Sequence, residues 1–105
     1  MTSEHWSVEP TRAAEKDLER LRGLKDQATR EILKLETNPY LGKPKQRTLK
    51  GVRALSFTMP GGAYRAAYVV SSSKRVCLVF MVGPHENFYR EAERRYKALR
   101  TQGRI

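Results

Sequence analysis

Along the chain the spacing of apolar residues changes from two to helical, back to two, and to helical again. In "HWSVEP", Trp6 and Val8 alternate with polar neighbours, which predicts a short strand stopped at Pro10. Thr11 then stands where an N-cap belongs, and Ala14, Leu18 and Leu21 follow at i, i+4 and i+7, the spacing of one helical face. Gly23 breaks that helix. Leu24, Ala28, Ile32 and Leu35 form a second stripe, which runs to the "NP" at 38–39. Two amphipathic helices joined by so short a turn are expected to lie antiparallel as a helical hairpin. Glu15, Glu19, Arg22 and Lys25 fall on its solvated face.

"YLGKPKQRTLKG" is a polar, basic loop punctuated by Gly42 and Pro44. After it the period returns to two in three runs, "VRALSFTM", "AYRAAYVV" and "RVCLVFMV", separated by turns at "PGG" (60–62) and "SSSK" (71–74). The third run is apolar throughout, as suits a central strand covered on both faces. Phe88, Ala92, Tyr96 and Leu99 then mark a last helix, ended by Gly103. The expected class is α+β in the order β-α-α-β-β-β-α. It combines a mostly antiparallel four-stranded sheet, an N-terminal helical hairpin and a C-terminal helix. Trp6, Phe57, Leu78 and Phe80 are expected in the core.

At 105 residues and 39% hydrophobic, the chain suits one domain over 1–105. No run approaches the ~20 apolar residues of a membrane span, and "MTSEHWSVEP" lacks the pattern of a secretion signal. The single cysteine, Cys77, excludes an intrachain disulfide and points to a reducing, cytoplasmic setting. One Cys and two His fall short of a Cys/His zinc site, so no metal or cofactor is expected. The formal charge of +10 is unevenly spread: residues 37–85 carry Lys43, Lys45, Arg47, Lys50, Arg53, Arg65, Lys74 and Arg75 and no acid. A block of one sign implies a polyanionic partner, nucleic acid or an acidic protein.

The element order, the "LKG" before the second strand, the "YR" and "Y" of "AYRAAYVV", and "VG" followed by a tyrosine-bearing helix together resemble the RelE/ParE superfamily of toxins from bacterial toxin–antitoxin modules. The similarity runs over about residues 5–97. It implies one of two activities. RelE-like members cut messenger RNA without metal, usually on the ribosome. ParE-like members poison DNA gyrase and lack the nuclease residues. Both are neutralised by an antitoxin that wraps the toxin, and DNA is met only through that complex. By position, Arg65 matches the arginine of the RelE-like "YR" strand, and Tyr89 the tyrosine near the last helix. His85 falls where RelE carries a basic residue after "VG". The RelE-like Lys-x-Lys pair has no counterpart here, and its region offers only Arg53.

Metal-free cleavage of RNA needs a base for the 2′-hydroxyl, an acid for the departing 5′-oxygen, and cations around the phosphate. An imidazole titrates near neutral pH, which suits His85 to proton transfer. A guanidinium donates paired hydrogen bonds to phosphate oxygens, which suits Arg65 to clamping. Tyr89 offers a phenol to donate a proton or stack on a base. Strand alternation sets Ala63, Arg65, Ala67 and Val69 on one face, leaving small neighbours and a hollow beside the charge. The bland alternatives are an Arg65 paired with Glu91 or Glu93, a His85 that only enters a helix, and a Tyr89 packed in the core. Lys43, Lys45, Arg47, Lys50, Arg53, Lys74 and Arg75 together form the expected RNA or ribosome footprint, with salt-sensitive binding. The leading expectation is a ribosome-associated endoribonuclease that inhibits translation, and the alternative is a gyrase poison. A degenerate module that binds only antitoxin or operator DNA is a third.

Overall fold

A computed structural model describes residues 5–105 of the chain. The elements in order are β1 (Ser7–Pro10), α1 (Arg12–Arg20), α2 (Lys25–Leu33), β2 (Lys43–Pro44), β3 (Arg53–Met59), β4 (Gly62–Ser71), β5 (Val76–Pro84) and α3 (Phe88–Thr101). The expected α+β order holds, with one addition. The basic loop contributes the two-residue strand β2 at the sheet edge, so the sheet has five strands in the order β1-β5-β4-β3-β2. A two-residue strand containing Pro44 leaves no readable alternation, which is why it passes for loop. β1 runs parallel to β5, and the other pairings are antiparallel.

Local chemistry accounts for the boundaries. Thr11 caps α1, its hydroxyl accepting from the Ala14 N–H at 3.1 Å. α1 and α2 are joined by a 3₁₀ turn at Arg22–Leu24, and α3 ends just before Gly103, whose φ of +70° suits only glycine readily. Each sheet face is covered. Ala14 of α1 and Ala28 and Ile32 of α2 pack with Leu55, Phe57, Ala66, Tyr68, Cys77 and Val79 on one side. Phe88, Ala92, Tyr96 and Leu99 of α3 pack with Val52, Ala67, Val69, Phe80 and Met81 on the other. β5 lies between β1 and β4 and is buried on both faces for most of its length, as its continuous apolar run requires. Trp6, Phe57 and Phe80 are buried, and Leu78 is half-buried against the α3 cluster.

β1 pairs with β5 only through Val79, and a bulge at Phe80 interrupts the β4 register, so the next stretch of β5 has an open edge. Side chains from both layers close it. Asp17 of α1, 6% exposed, accepts the Val82 N–H at 3.0 Å and meets the Arg95 guanidinium of α3 at 2.6 and 3.1 Å. Arg95 donates to the Phe80 carbonyl at 3.1 Å and to Glu91 at 3.0 Å. Main-chain groups that lack a strand partner are thereby satisfied, and α1 is tied to α3 around the sheet edge. Hydrogen bonding to Asp17 also holds the Arg95 guanidinium above its already high pKa.

Candidate functional site

The face carrying α3 bears the site. β3 and β4 pair so that Ser56 lies opposite Arg65, and Arg65 in turn lies opposite Gly83 of β5. Arg65 shares its face with Ala63 and Ala67, as strand alternation predicts, while Tyr64, Ala66, Tyr68 and Val70 face the helical hairpin. With alanine two residues away on each side and a hydroxyl and a glycine across the ladder, the floor around Arg65 is built of small residues.

Tyr89, in the first turn of α3, supplies the wall. Its half-buried ring stands edge-on to Phe88, with centroids 5.4 Å apart. The Arg65 guanidinium carbon lies over the Tyr89 ring at 5.2 Å from its centroid, and the Lys45 ammonium lies over the same ring at 4.5 Å. Such contacts suit cations because the ring face is electron-rich. Among the described residues neither cation has a carboxylate partner. Glu91 is taken by Arg94 and Arg95, which hold its pKa below the usual carboxylate range, and Glu93 accepts from the Thr48 hydroxyl. Arg65 is therefore not paired with either glutamate, and it sets a positive charge among small neighbours.

Lys45 reaches this wall because the basic loop is strapped along α3. Besides the Thr48–Glu93 contact, the Tyr96 hydroxyl donates to the Lys50 carbonyl at 2.8 Å. The loop's other end is pinned through the sheet. The buried Tyr68 hydroxyl accepts from the Gly42 N–H at 2.9 Å and donates to the Pro39 carbonyl at 2.8 Å, and burial pushes its pKa up. Only glycine fits at position 42, where a Cβ would sit 2.8 Å from the Tyr68 ring and 2.9 Å from the Ala54 main chain. Tyr68 and Tyr96 fix the loop, and only their apolar face was legible in sequence.

The remaining expected residues divide. Lys43, Arg47 and Lys50 are exposed on the strapped loop, and Lys43 lies opposite Ala54. Arg53 does not join them. It lies opposite Tyr68 on the hairpin side, donates to the Gly42 and Tyr40 carbonyls at 2.8 and 3.2 Å, and covers the Tyr40 ring at 5.2 Å. Two of its guanidinium nitrogens thus serve the loop's main chain. Lys74 and Arg75 lie past the far end of β4, six residues from Arg65, or about 20 Å at a strand's rise. Arg75 covers the Trp6 ring at 4.9 Å, and Lys74 lines a separate groove of about 540 Å³ with Val69, Leu78, Tyr96 and Arg100.

His85 sits in the turn between β5 and α3. Its main-chain N–H donates to the Ala63 carbonyl at 3.2 Å, and its carbonyl accepts from the Phe88 N–H at 3.3 Å. The backbone of His85 is thus held beside the strand that carries Arg65, while the residue is exposed and its imidazole makes no hydrogen bond or ion pair among the described residues. Helix entry falls to Asn87, left-handed at φ 53°, without a side-chain cap. No group of three or more His, Cys, Asp or Glu among the described residues is placed to hold a metal ion. Among them, too, no helix is long and apolar enough to cross a membrane.

A family model described as the ParE-like toxin of type II bacterial toxin–antitoxin systems matches residues 8–93, which include most of β1 and the whole of the Arg65–Tyr89–Lys45 arrangement. The chain belongs to this ParE-like toxin family. Solved structures carry the same fold. The toxin–antitoxin complex RelBE2 from Mycobacterium tuberculosis matches at a TM-score of 0.67 and 23% identity, over 80% of this chain and 95% of that one. A mutant E. coli toxin RelE in the free state matches at 0.69 and 20%, over 90% and 98%. The Helicobacter pylori protein HP0892 matches at 0.51 and 17%, over 76% and 94%. No curated protein matches in sequence. Within the ParE-like toxins this chain is thus placed by a family model spanning most of its length, and the solved structures add the fold.

Proposed function

We propose that this toxin is a metal-independent endoribonuclease that cuts messenger RNA in the cytoplasm, presented by the ribosome, and that a cognate antitoxin holds it inactive. The observation that carries the reading is Arg65, a cation without a carboxylate partner among the described residues, laid over the Tyr89 ring on a floor of small residues. A phosphodiester needs such a place, where charge is available and a sugar–phosphate backbone can approach. Arg65 clamps the non-bridging oxygens. His85 transfers a proton, and Tyr89 assists by proton donation or by stacking. The 2′-oxygen forms a bond to phosphorus as its proton passes to the base. The bond from phosphorus to the 5′-oxygen breaks as that oxygen takes a proton from the acid. The products are a 2′,3′-cyclic phosphate and a 5′-hydroxyl. Lys43, Lys45, Arg47 and Lys50 extend the positive surface along the strand, and Lys74 and Arg75 serve as a second patch at the other end.

The antitoxin reading follows from the family and from solved relatives captured as toxin–antitoxin complexes. Inducing wild-type protein and a His85→Ala/Tyr89→Phe variant in cells, then mapping mRNA ends, tests the nuclease. New 5′ ends with wild type and none with the variant are expected, whereas equal toxicity with intact transcripts rules the nuclease out. A gyrase poison is the second reading, favoured by the ParE-like family model and by an imidazole with no hydrogen bond or ion pair among the described residues. Accumulating cleaved gyrase–DNA complexes would establish it.

A further inference from the structure

We infer that Lys45 is a catalytic residue of this site, the second cation on the phosphate that Arg65 clamps; the inference rests on the nuclease reading. Arg53, the one basic residue on β3, faces the hairpin and is bound to loop carbonyls. The strand next to Arg65 therefore offers only hydroxyls on the site face, Ser56 directly opposite and Thr58 beyond it. One guanidinium alone would meet a phosphorane that carries two negative charges. Lys45 fills the gap from outside the strand pair. Its main chain is docked by the Lys45 N–H donating to the Val52 carbonyl at 2.9 Å, and its ammonium arrives 4.5 Å from the centroid of the ring that Arg65 also covers.

Three features separate Lys45 from an ordinary surface lysine. It is half-buried, whereas Lys43 and Lys50 on the same loop are exposed. No carboxylate neutralises it among the described residues, since Glu91 and Glu93 are engaged elsewhere. The loop that carries it is fixed at both ends, by Tyr68 on Gly42 and by Tyr96 on Lys50. A cation held in place in advance, on the same ring as a second one, stabilises charge that grows during the reaction more than charge already present in bound RNA. The loss of Lys45 should therefore appear in kcat.

The test measures cleavage of a defined mRNA on programmed ribosomes by wild type, Lys45→Gln, Lys45→Arg and Arg65→Ala, with Lys16→Gln from the exposed face of α1 as control. Thermal melting confirms that each variant is folded. Lys45→Gln is expected to lower kcat by about 10²-fold with a small change in KM, as when one donor is removed from a charge-stabilising site. Lys45→Arg should recover a large part of that loss, and Lys16→Gln should match wild type. If Lys45→Gln keeps the wild-type kcat and shows only a salt-sensitive rise in KM, Lys45 is part of the footprint and the inference is overturned. If wild type leaves the RNA whole, the nuclease reading falls and takes this one with it.

Discussion

Replacing Asp17 with alanine should destabilise the protein more than any other single change to a polar side chain. The substitution removes the acceptor of the Val82 N–H at 3.0 Å and leaves the Arg95 guanidinium without the partner it meets at 2.6 and 3.1 Å. Arg95 is only 19% exposed and cannot turn to water without leaving its place between α3 and β5. Breaking a buried pair from one side costs ~3–5 kcal/mol. Arg95 keeps Glu91 and the Phe80 carbonyl, so the lower end applies, about 3 kcal/mol. At about 4 °C per kcal/mol for a chain of this size, the melting temperature should fall by roughly 12 °C or more. Urea titration followed by far-ultraviolet circular dichroism measures the loss, and a double-mutant cycle assigns it. An Asp17→Leu/Arg95→Met variant no longer strands a charge and should recover part of the stability, the rest being lost with the partners of the Val82 N–H and the Phe80 carbonyl. A fall of less than about 4 °C for Asp17→Ala, or a double variant no better than the single one, would refute the reasoning.

Two further outcomes follow from buried groups. Tyr68→Phe strips the Gly42 N–H and the Pro39 carbonyl of their partner, costing about 1–3 kcal/mol in urea titration and speeding hydrogen exchange at Gly42 well beyond that within β4; unchanged protection at Gly42 would show that the loop is held by something else. Burial pushes the Cys77 thiol up to about 11, so native protein should resist a thiol reagent at pH 8 that labels the unfolded chain. Because the folded value lies above the unfolded one, the thiol's contribution is complete below the unfolded value of about 9 and is lost as pH rises through about 11. A Cys77→Val variant should lack that part of the alkaline decline, and an identical decline in both proteins would count against it.

Much of the fold was legible because it rests on local periodicity. The Thr11 cap, the α3 stripe and the two faces of β4 all appear where the spacing puts them. Alternation alone also set Arg65 among alanines. The contacts that complete the site have no local signature. Lys45 and Tyr89 lie far apart in sequence and meet only because Thr48 and Lys50 are fastened to α3. Asp17 and Arg95, 78 residues apart, look like solvated helix charges until the open edge of β5 shows what they cover. Arg53 shows the same limit. Its charge is visible, but its two carbonyl partners belong to a loop whose path depends on Tyr68 and Gly42.

The register of the β3–β4 hairpin has a consequence for how this chain tolerates change. Arg65 and Tyr64 are neighbours that point to opposite sides, and β4 is held in that facing from both flanks, with Ser56 of β3 and Gly83 of β5 opposite Arg65. An insertion at the tip, around Pro60–Gly61, lengthens a turn and leaves that pairing intact. An insertion of one residue in β3 between Phe57 and Met59 would offset that strand against β4, which stays paired with β5, and would turn Ser56 off the site face and bring the Phe57 ring onto it. Descendants of this sequence can therefore drift in length at one end of the hairpin while the strands stay frozen in frame.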